Sequence, residues 1–456
     1  MKHHLAARLA ASLLALSLVA CGTEAASSSP ELPPPSATDA TASPSQASPA
    51  VGAVEPAPES DSDAYAPNPG AILVAIDPGH GGCLDWGVPD PSERGSDLAE
   101  KTLTLAIAQR LRDLLTDQGI GVLMIRDADE ALAGDDYPPL GCEGPPWRDV
   151  NGDGIAGFGP DVPEATRTRD ELQARLDVAN LAAADALVSI HINSPTEGGV
   201  QVEIAFSETF YTDETPWGAT ATERLADAVQ AGVVERLEPL AGYERGDRGI
   251  TAHNFYMVAP TLFETTEERP DPFKQPSRGG LMPVVLSEVG SITLRSEHDL
   301  LASAEGQQAV AQGLLEGIAT YLGERELAAR IGLADEAVGE VPQPAAGDGP
   351  LLWAPVAPNG PVSLRLTNTG AEAWPSGTSL VAGWTPSDQP YLSRVPSELE
   401  TLAVDVPGLA PGESVVVSVE LPTPPSGRSV AWISLISGDA MLSDLGSPPL
   451  QLASQP

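Results

Sequence analysis

The sequence has few basic residues, few cysteines and no apolar run of transmembrane length. Its 456 residues carry 24 Lys and Arg against 64 Asp and Glu, which gives a formal net charge of −40. This charge repels nucleic acid and anionic lipid headgroups at long range, so no nucleic acid is expected as a partner. Three cysteines are too few for a disulfide scaffold. Past residue 70, no apolar run approaches the roughly 20 residues of a transmembrane helix.

The N-terminus predicts an exported protein. Residues 1–20 combine a basic start with an apolar run, Leu9–Ala20, that is too short to span a bilayer and is typical of a signal peptide. Small residues before Cys21 resemble the bacterial lipobox, in which this cysteine receives lipid; an ordinary signal peptide with an incidental cysteine is the alternative. Residues 21–69 are rich in Pro, Ser and Ala, which predicts a disordered tether. We therefore expect an extracytoplasmic protein that is lipid-anchored to the membrane of the cell envelope, or secreted if no lipid is attached.

Composition divides the rest of the chain into two bodies. Residues 326–349 change from helix-like residues to a segment rich in Pro and Gly, which predicts a linker. This boundary leaves a first domain at 71–325 and a second at 350–453.

Apolar periodicity predicts the fold class of each body. In the first, short apolar runs of strand length alternate with helical stripes. The runs lie at 71–76, 120–125, 186–190 and 283–286, and the stripes at 103–114, 172–183 and 310–321. This alternation predicts an α/β fold with a mixed or largely parallel sheet flanked by helices. The second body carries short alternating segments separated by turn residues, which predict an all-β sandwich.

Polar residues lie at the ends of three predicted strands. His80 follows the first strand, and His191 and Glu288 close two later ones, while Glu100 opens the first helix. Open α/β sheets place their ligand crevice at the carboxyl ends of the strands, so these side chains are predicted to converge. Two imidazoles and a carboxylate are the three-protein-ligand set of a catalytic zinc site.

Each of these residues also has a purely structural interpretation. Glu100 and Asp97 have the spacing of a helix capping box. His191 is compatible with a hydrogen-bonded core histidine, and residues 78–82 are compatible with a tight turn. Glu288 is harder to explain in this way, because a carboxylate at the end of an apolar strand needs a partner or a metal nearby. The set is therefore more specific than any of its members.

The order of these motifs resembles that of the zinc-dependent N-acetylmuramoyl-L-alanine amidases of bacterial cell-wall turnover. The segments that carry the likeness are Asp77–Gly82, Glu100 with the helix after it, Ile125–Asp127, Arg175–Asn180, Ser189–Asn193 and Leu286–Glu288. The resemblance implies that His80, Glu100 and His191 hold zinc and that Glu288 is the catalytic carboxylate. It also implies that peptidoglycan is the substrate and that the amide between N-acetylmuramic acid and L-alanine is cleaved.

The resemblance bears on the substrate groove as well. It implies Arg126, Arg175 and Asn193 as groove residues. Arg248–Ile250 and Val258 resemble a later segment that helps shape the groove in relatives. Residues 289–293 depart from the family pattern, because the Gly-Phe that usually follows the catalytic glutamate is absent. We expect the neighbouring wall of the groove to differ for that reason.

Long segments between the motifs are predicted as insertions. They lie at 129–165 and 208–247, with a further acidic, Pro-rich stretch at 264–277. In some relatives an inserted helix occludes zinc until a partner protein moves it. Glu264, Glu267 and Glu268 are candidates for such a plug, and a solvated loop is the simpler alternative. Whether this protein has an activator stays open.

The first of these insertions contains a possible ion site. Asp149, Asn151 and Asp153 have the spacing of a calcium-binding loop, but Pro160 stands where such a loop ends in a bidentate acid. A calcium site and a plain acidic turn are both open interpretations.

The cysteines also allow two interpretations. Lipidation of Cys21 leaves Cys83 and Cys142 as a pair, and export permits their oxidation to a disulfide. Such a bridge would fix the first insertion beside the metal site. Ligation of zinc by Cys83, three residues after His80, is the alternative, and the family resemblance favours the His-Glu-His set.

The second body resembles bacterial immunoglobulin-like modules at Asn368–Gly370 and Pro411–Ser414. Its tryptophans are compatible with a sugar-stacking surface or with a hydrophobic core. They are Trp353, Trp374, Trp384 and Trp432.

For the whole chain, the favoured function is a lipid-anchored peptidoglycan amidase. The first alternative is a catalytically inactive cell-wall-binding or regulatory protein on the same scaffold. The second is a zinc peptidase that cuts within the stem peptide.

Overall fold

The structure is a computed structural model of residues 1–456, of which part is described. The described residues are 71–82, 85–88, 98–132, 150, 169–197, 200–202, 205–215, 218–244, 246–258, 279–335, 357, 359–386, 395–427 and 429–454. Outside them lie the predicted signal peptide and tether with Cys21, the calcium motif, Cys83 and Cys142, the acidic segment 264–277 and Trp353. Within them, no helix combines the length and apolarity needed to cross a membrane. They all belong to one compact unit, residues 64–456.

The first body is an α/β fold. Its strands are β1 (Leu73–Pro78), β2 (Gly121–Met124), β3 (Ala186–Asn193), β4 (Thr196–Glu197), β5 (Val200–Gln201), β6 (Ser207–Tyr211), β7 (Asp247–Ala252) and β8 (Val284–Ser291). Its helices are α1 (Glu100–Asp117), α2 (Arg169–Leu181), α3 (Ala219–Leu237), α4 (Arg295–Ala302) and α5 (Ala304–Gly323). Six strands form one sheet in the order β2-β1-β3-β8-β6-β7. All neighbours are parallel except β6 and β8, so the predicted mixed sheet is confirmed.

Helices cover both faces of this sheet, because successive residues of a strand point to opposite sides. On β1, Val74 and Ile76 pack in a cluster with α1, α3 and α5. Leu73 and Ala75 pack in a second cluster with α2. Burial on both faces explains why these strands appear in the sequence as continuous apolar runs.

The interpretation of residues 208–247 as an insertion is wrong. Most of β6 and the whole of α3 lie in this range, and both are integral to the fold. Helix α3 buries Leu225, Val229 and Val233, spaced by four, in the core shared with α5. Strand β6 lacks an apolar run, because its buried Glu208 and Thr209 are polar side chains with hydrogen-bond partners.

The second body is all-β. Its strands are β9 (Ala329–Leu333), β10 (Val362–Asn368), β11 (Ser379–Pro386), β12 (Glu400–Thr401), β13 (Ser414–Val419), β14 (Ser429–Ser437), β15 (Ala440–Met441) and β16 (Leu450–Ala453). One sheet has the order β13-β10-β9, and the other has β12-β11-β14-β15 with β16 also paired to β14. Their side chains share one core, in which Trp374 is buried, and Trp432 is buried as well. The immunoglobulin-like assignment stays a prediction.

The linker predicted at 326–349 is wrong at its start. Strand β9 pairs antiparallel with β10 and contributes Ala329 and Ile331 to the core of the second body. Strand β9 is only five residues long and comes soon after helix α5. The helix-like residues around it therefore obscured its pattern in the sequence. Residues 336–349 lie outside the described part of the chain.

Candidate metal centre

His80, Glu100 and His191 meet at the carboxyl ends of β1 and β3. One ligand atom from each of the three side chains lies within 4.8 Å of the other two. Glu100 Oε1 is 3.2 Å from His80 Nε2 and 3.3 Å from His191 Nδ1. The structure therefore brings together the three side chains that the sequence places at strand and helix ends.

Glu100 is the first residue of α1, but its carboxylate does not cap the helix. The N-cap residue is Ala99, which makes no side-chain cap hydrogen bond. Glu100 instead accepts hydrogen bonds from the backbone N–H groups of Ile192, at 3.0 Å, and Val88, at 2.9 Å. Burial alone would raise its pKa, but His80 and His191 lower it below the usual range for glutamate. The carboxylate is thus held in its ionised, metal-binding form.

His80 is held in a strained backbone conformation. Its φ of 62° lies in the left-handed region, which costs an ordinary L-residue about 1–2 kcal/mol. Arg175 Nη2 donates to its carbonyl oxygen at 2.7 Å, and Asp85 Oδ1 lies 2.7 Å from its Nδ1. Strain that is fixed from several sides is typical of functional sites. Here it turns Nε2 toward Glu100.

Asp85 is a site residue that the sequence analysis missed. Its carboxylate is mostly buried, with 13% of the side chain exposed. Burial alone would lower the pKa of His80, but Asp85 and Glu100 raise it well above the ordinary value. Metal-ligating histidines almost always make such a second contact through the ring nitrogen that does not face the metal. The available signal was an acid five residues after His80.

Two glycines let the cluster close. A Cβ on Gly79 would lie 2.5 Å from the His191 ring. A Cβ on Gly87, whose φ is +65°, would lie 2.4 Å from Glu100 Oε2 and 2.6 Å from the His80 ring. Without these side chains the two imidazoles approach to 4.7 Å between ring centroids, nearly perpendicular to each other. Any larger residue at either position would push a ligand out of place.

Glu288 lies beside this cluster on β8. It is the register partner of His191 on β3 and of Glu208 on β6. Among the described residues, its buried Oε2 has no hydrogen-bond partner. Burial raises the pKa of Glu288 well above the usual range, and repulsion from Glu100 and Glu208 adds to the increase. A carboxyl group of this kind is suited to accepting and releasing a proton.

The donor set fits a zinc ion. Histidine nitrogens and carboxylate oxygens bind zinc at about 2.0–2.2 Å in tetrahedral geometry, which separates neighbouring ligand atoms by about 3.3 Å. The distances from Glu100 to the two histidines are 3.2 and 3.3 Å. Three protein ligands leave a fourth position, which is the arrangement of catalytic rather than structural zinc. Glu288, the register partner of His191, adds a buried carboxyl oxygen that has no hydrogen-bond partner among the described residues.

The assignment of Arg126 and Arg175 to the substrate groove is wrong, because both side chains are 1% exposed. Arg126 donates to the carbonyl oxygens of Pro78 and Gly79. Arg175 pairs with Asp77 at 2.6 Å and also bonds the His80 carbonyl. Both guanidinium groups support the loop that carries His80.

The position of Asn193 is compatible with its predicted role. It is 6% exposed at the end of β3, where its carbonyl oxygen accepts a hydrogen bond from Ile292. Its assignment to the groove stays a prediction.

Arg248 lies on the side of Glu288 away from the histidines. Its guanidinium is half-exposed, lies 4.4 Å from the centre of the Phe206 ring and approaches Glu208 Oε2 at 3.6 Å. Thr251 donates to the same carboxylate at 2.5 Å. The Glu208 carboxyl group is therefore fixed next to Glu288, on one of the strands that sequence patterns did not reveal.

Comparison with known proteins gives a consistent set of relatives. The profile of the family described as N-acetylmuramoyl-L-alanine amidase matches residues 74–320, more than half of the chain. The germination-specific N-acetylmuramoyl-L-alanine amidase of Bacillus subtilis (strain 168) is 26% identical over 255 residues, which cover 56% of this chain and 81% of that protein. The sporulation-specific N-acetylmuramoyl-L-alanine amidase of the same strain is 26% identical over 249 residues, which cover 54% and 67%. Among solved structures, N-acetylmuramoyl-L-alanine amidase AmiC2 of Nostoc punctiforme is 26% identical with a TM-score of 0.36, covering 56% of this chain and 98% of that one.

Proposed function

Because the chain belongs to the N-acetylmuramoyl-L-alanine amidase family, we propose that it hydrolyses the amide between N-acetylmuramic acid and the L-alanine of the stem peptide in peptidoglycan. The observation that carries this proposal is the juxtaposition of two features. One is the cluster of His80, Glu100 and His191, and the other is the buried, unpartnered carboxylate of Glu288 beside it.

In this proposal His80, Glu100 and His191 hold a zinc ion. When bound, zinc polarises a carbonyl group and lowers the pKa of a water molecule to about 7. Asp85 orients the His80 ring, and Arg175 fixes the backbone that carries it. These contacts place the ligands before the substrate arrives, so little reorganisation is needed on binding.

Glu288 carries the proton transfer. Its Oε2 accepts a proton from the attacking water and then donates it to the departing amine of L-alanine. Because the pKa of Glu288 is raised, this group loses its proton only at a pH above the usual carboxylate range. A general base and acid of this kind works best when its pKa is close to the operating pH.

Digestion of purified cell wall tests the reaction class. We expect mass spectrometry to find stem peptides with a free L-alanine amino group and glycan strands with intact N-acetylmuramic acid. Peptides cut at an internal bond, with the lactyl amide intact, would instead identify a peptidase. Wall that binds the protein but releases nothing would identify an inactive binding or regulatory protein.

We also propose that the protein works in the cell envelope, held to the membrane by lipid on Cys21. The support is the order of basic start, apolar run, small residues and cysteine, followed by the Pro-rich stretch. A tether of that composition separates the catalytic body from the membrane and lets it reach the wall.

A further inference from the structure

The loop that carries His80 has little intrinsic preference for the conformation it adopts. His80, Gly81 and Gly82 have φ values of 62°, 142° and 69°. Two of the three are glycines, which populate positive and negative φ about equally. Contacts from other parts of the chain therefore have to fix this loop, and the position of the His80 ring depends on them.

On the side before His80, two buried arginines supply such contacts. Arg126 donates to the carbonyl oxygens of Pro78 and Gly79, and Arg175 donates to that of His80. These bonds leave the chain after His80 to be fixed by other groups.

Gly82, two residues after His80, is held through both of its backbone polar groups. Its N–H donates to Asp129 Oδ1 at 2.8 Å, and its carbonyl oxygen accepts from Lys101 Nζ at 2.7 Å. Lys101 Nζ also donates to Asp129 Oδ2 at 2.6 Å. The three contacts close a ring, which we call the Gly82 clamp. Hydrogen bonds made by charged groups are roughly twice as strong as neutral ones, so the clamp holds the loop firmly.

The clamp also joins the His80 loop to the helix end that carries Glu100. Lys101 follows Glu100 in the first turn of α1, and its side chain is 5% exposed. An ammonium group buried to this extent needs partners, and Gly82 and Asp129 provide them. Because Lys101 bonds the His80 loop and adjoins Glu100, a shift of the clamp changes the separation of two metal ligands.

We propose that Lys101 and Asp129 are positioning residues, which act through Gly82 to set the affinity of the candidate metal centre for zinc. They hold the loop at the place where the His80 ring faces Glu100. The inference rests on the proposed function, because that function supplies the zinc. Groups that orient metal ligands without touching the metal typically change its affinity about 10- to 100-fold.

An ion pair in the same loop provides a matched control. Asp127 lies two residues before Asp129, and the side chains of the two are 59% and 52% exposed. Asp127 pairs with Arg112 on α1 at 2.8 Å, as Asp129 pairs with Lys101 on the same helix. Asp127→Asn therefore removes the same charge from the same loop and keeps the Gly82 clamp.

The test is the zinc dissociation constant of the full chain, measured by competition with a chelating dye. We expect Asp129→Asn to weaken zinc binding about 10-fold, because an amide offers one acceptor oxygen where the clamp uses two. Lys101→Met keeps the apolar stem, removes both ammonium contacts and is expected to weaken binding at least as much. Asp127→Asn should leave the dissociation constant nearly unchanged.

Urea unfolding of the zinc-free proteins separates positioning from stability. If the two residues only stabilise the fold, the free energy of unfolding falls while the folded variants bind zinc as tightly as the wild type, and that result would overturn the proposal. Equal weakening in Asp129→Asn and Asp127→Asn would also overturn it, because loss of charge would then be the cause. If Lys101→Met does not fold, the half-exposed Asp129 still decides the question.

Zinc binding is measured without cell wall, so the test does not depend on the reaction. A wild-type chain that binds zinc but releases nothing from cell wall would contradict the proposed reaction alone. A wild-type chain that binds no zinc would overturn the positioning inference together with the metal site.

Discussion

His191 on β3 and Glu288 on β8 are register partners in the central sheet. The strands therefore hold the proposed metal ligand His191 and the proposed proton acceptor Glu288 side by side, without any loop to position them. Sites built on strands are more rigid than sites built on loops. The third residue of this row is Glu208 on β6, whose charge also acts on Glu288.

Removing a ligand is expected to remove the metal. The full chain should carry about one zinc per molecule, and His80→Ala or His191→Ala should lose it, because each leaves two of three protein ligands. Metal analysis of the purified proteins checks this. His253→Ala is the matched control, since His253 lies at the end of β7 outside the cluster and is expected to keep the zinc. Full occupancy in both ligand variants would refute the assignment.

Glu208 is expected to set the acid limit of activity. Glu208→Gln removes a negative charge that raises the pKa of Glu288. A lower pKa keeps Glu288 deprotonated at lower pH, so the acid limb of the kcat/KM profile should move to lower pH. Asp113→Asn removes the same charge from the exposed surface of α1 and should leave the profile in place. A shift to higher pH in Glu208→Gln would contradict the electrostatic role.

The two bodies are expected to be coupled in stability through Asp185. This buried carboxylate pairs with Arg325 at 2.9 Å and with Arg330 on β9, and it accepts a hydrogen bond from Leu73 N–H. Asp185→Asn leaves two buried guanidinium groups without their anion, a change that typically costs about 3–5 kcal/mol. Urea unfolding of the full chain measures the loss.

An exposed ion pair provides the control for this experiment. Arg295 and Asp299 pair on the surface of α4, with side chains 66% and 46% exposed. Asp299→Asn should change the free energy of unfolding by less than about 1 kcal/mol. Equal effects of the two substitutions would show that the buried pair does not connect the bodies.

The ion pairs of Asp185 with Arg325 and Arg330 also predict how acid affects the free energy of unfolding. Burial alone would raise the pKa of Asp185, but Arg330 and Arg325 lower it below the ordinary value. Its contribution is therefore complete above the unfolded pKa of about 4 and is lost as pH falls through the lower folded pKa. Unfolding of wild type and Asp185→Asn at several pH values should converge in that acid range. A difference that stays constant down to the lowest pH would contradict this explanation.

Lipid on Cys21 is expected to control partitioning. An acylated cysteine gains roughly 0.8 kcal/mol per buried methylene, enough for several chains to hold an acidic protein at a membrane. Cys21→Ser should block attachment and move the protein from the detergent phase to the aqueous phase. Identical partitioning of both forms would mean that the protein is not lipid-anchored.

Sequence patterns were sufficient to predict the strands that are buried on both faces of the sheet. β1, β3 and β8 are apolar because helices cover the sheet on both sides, so their ends, and the ligands there, could be located. Strand β6 escaped detection because its first three residues are buried polar side chains, and Ser207 and Thr209 bond Tyr243 and Gln230 elsewhere in the fold. Such contacts depend on the tertiary fold and produce no periodic pattern in the local sequence.

The sequence also could not predict the roles of Arg126 and Arg175 or of the loop after His80. A motif gives the position of Arg126 and Arg175 but not their burial, which decides between a substrate contact and a structural support. Asp85 and Trp86 stand in a turn whose path is set by close packing of Gly87 on Glu100. Only the folded chain shows that Asp85 contacts the His80 ring and that Trp86 is partly exposed.

The most direct test of the proposed mechanism is the turnover of cell wall by Glu288→Gln with its zinc content determined on the same sample. The amide side chain is nearly isosteric and cannot accept the proton. We therefore predict full zinc occupancy and a loss of about 10²- to 10⁴-fold in kcat. Wild-type turnover by the zinc-loaded variant would contradict the assignment of Glu288 as the general base.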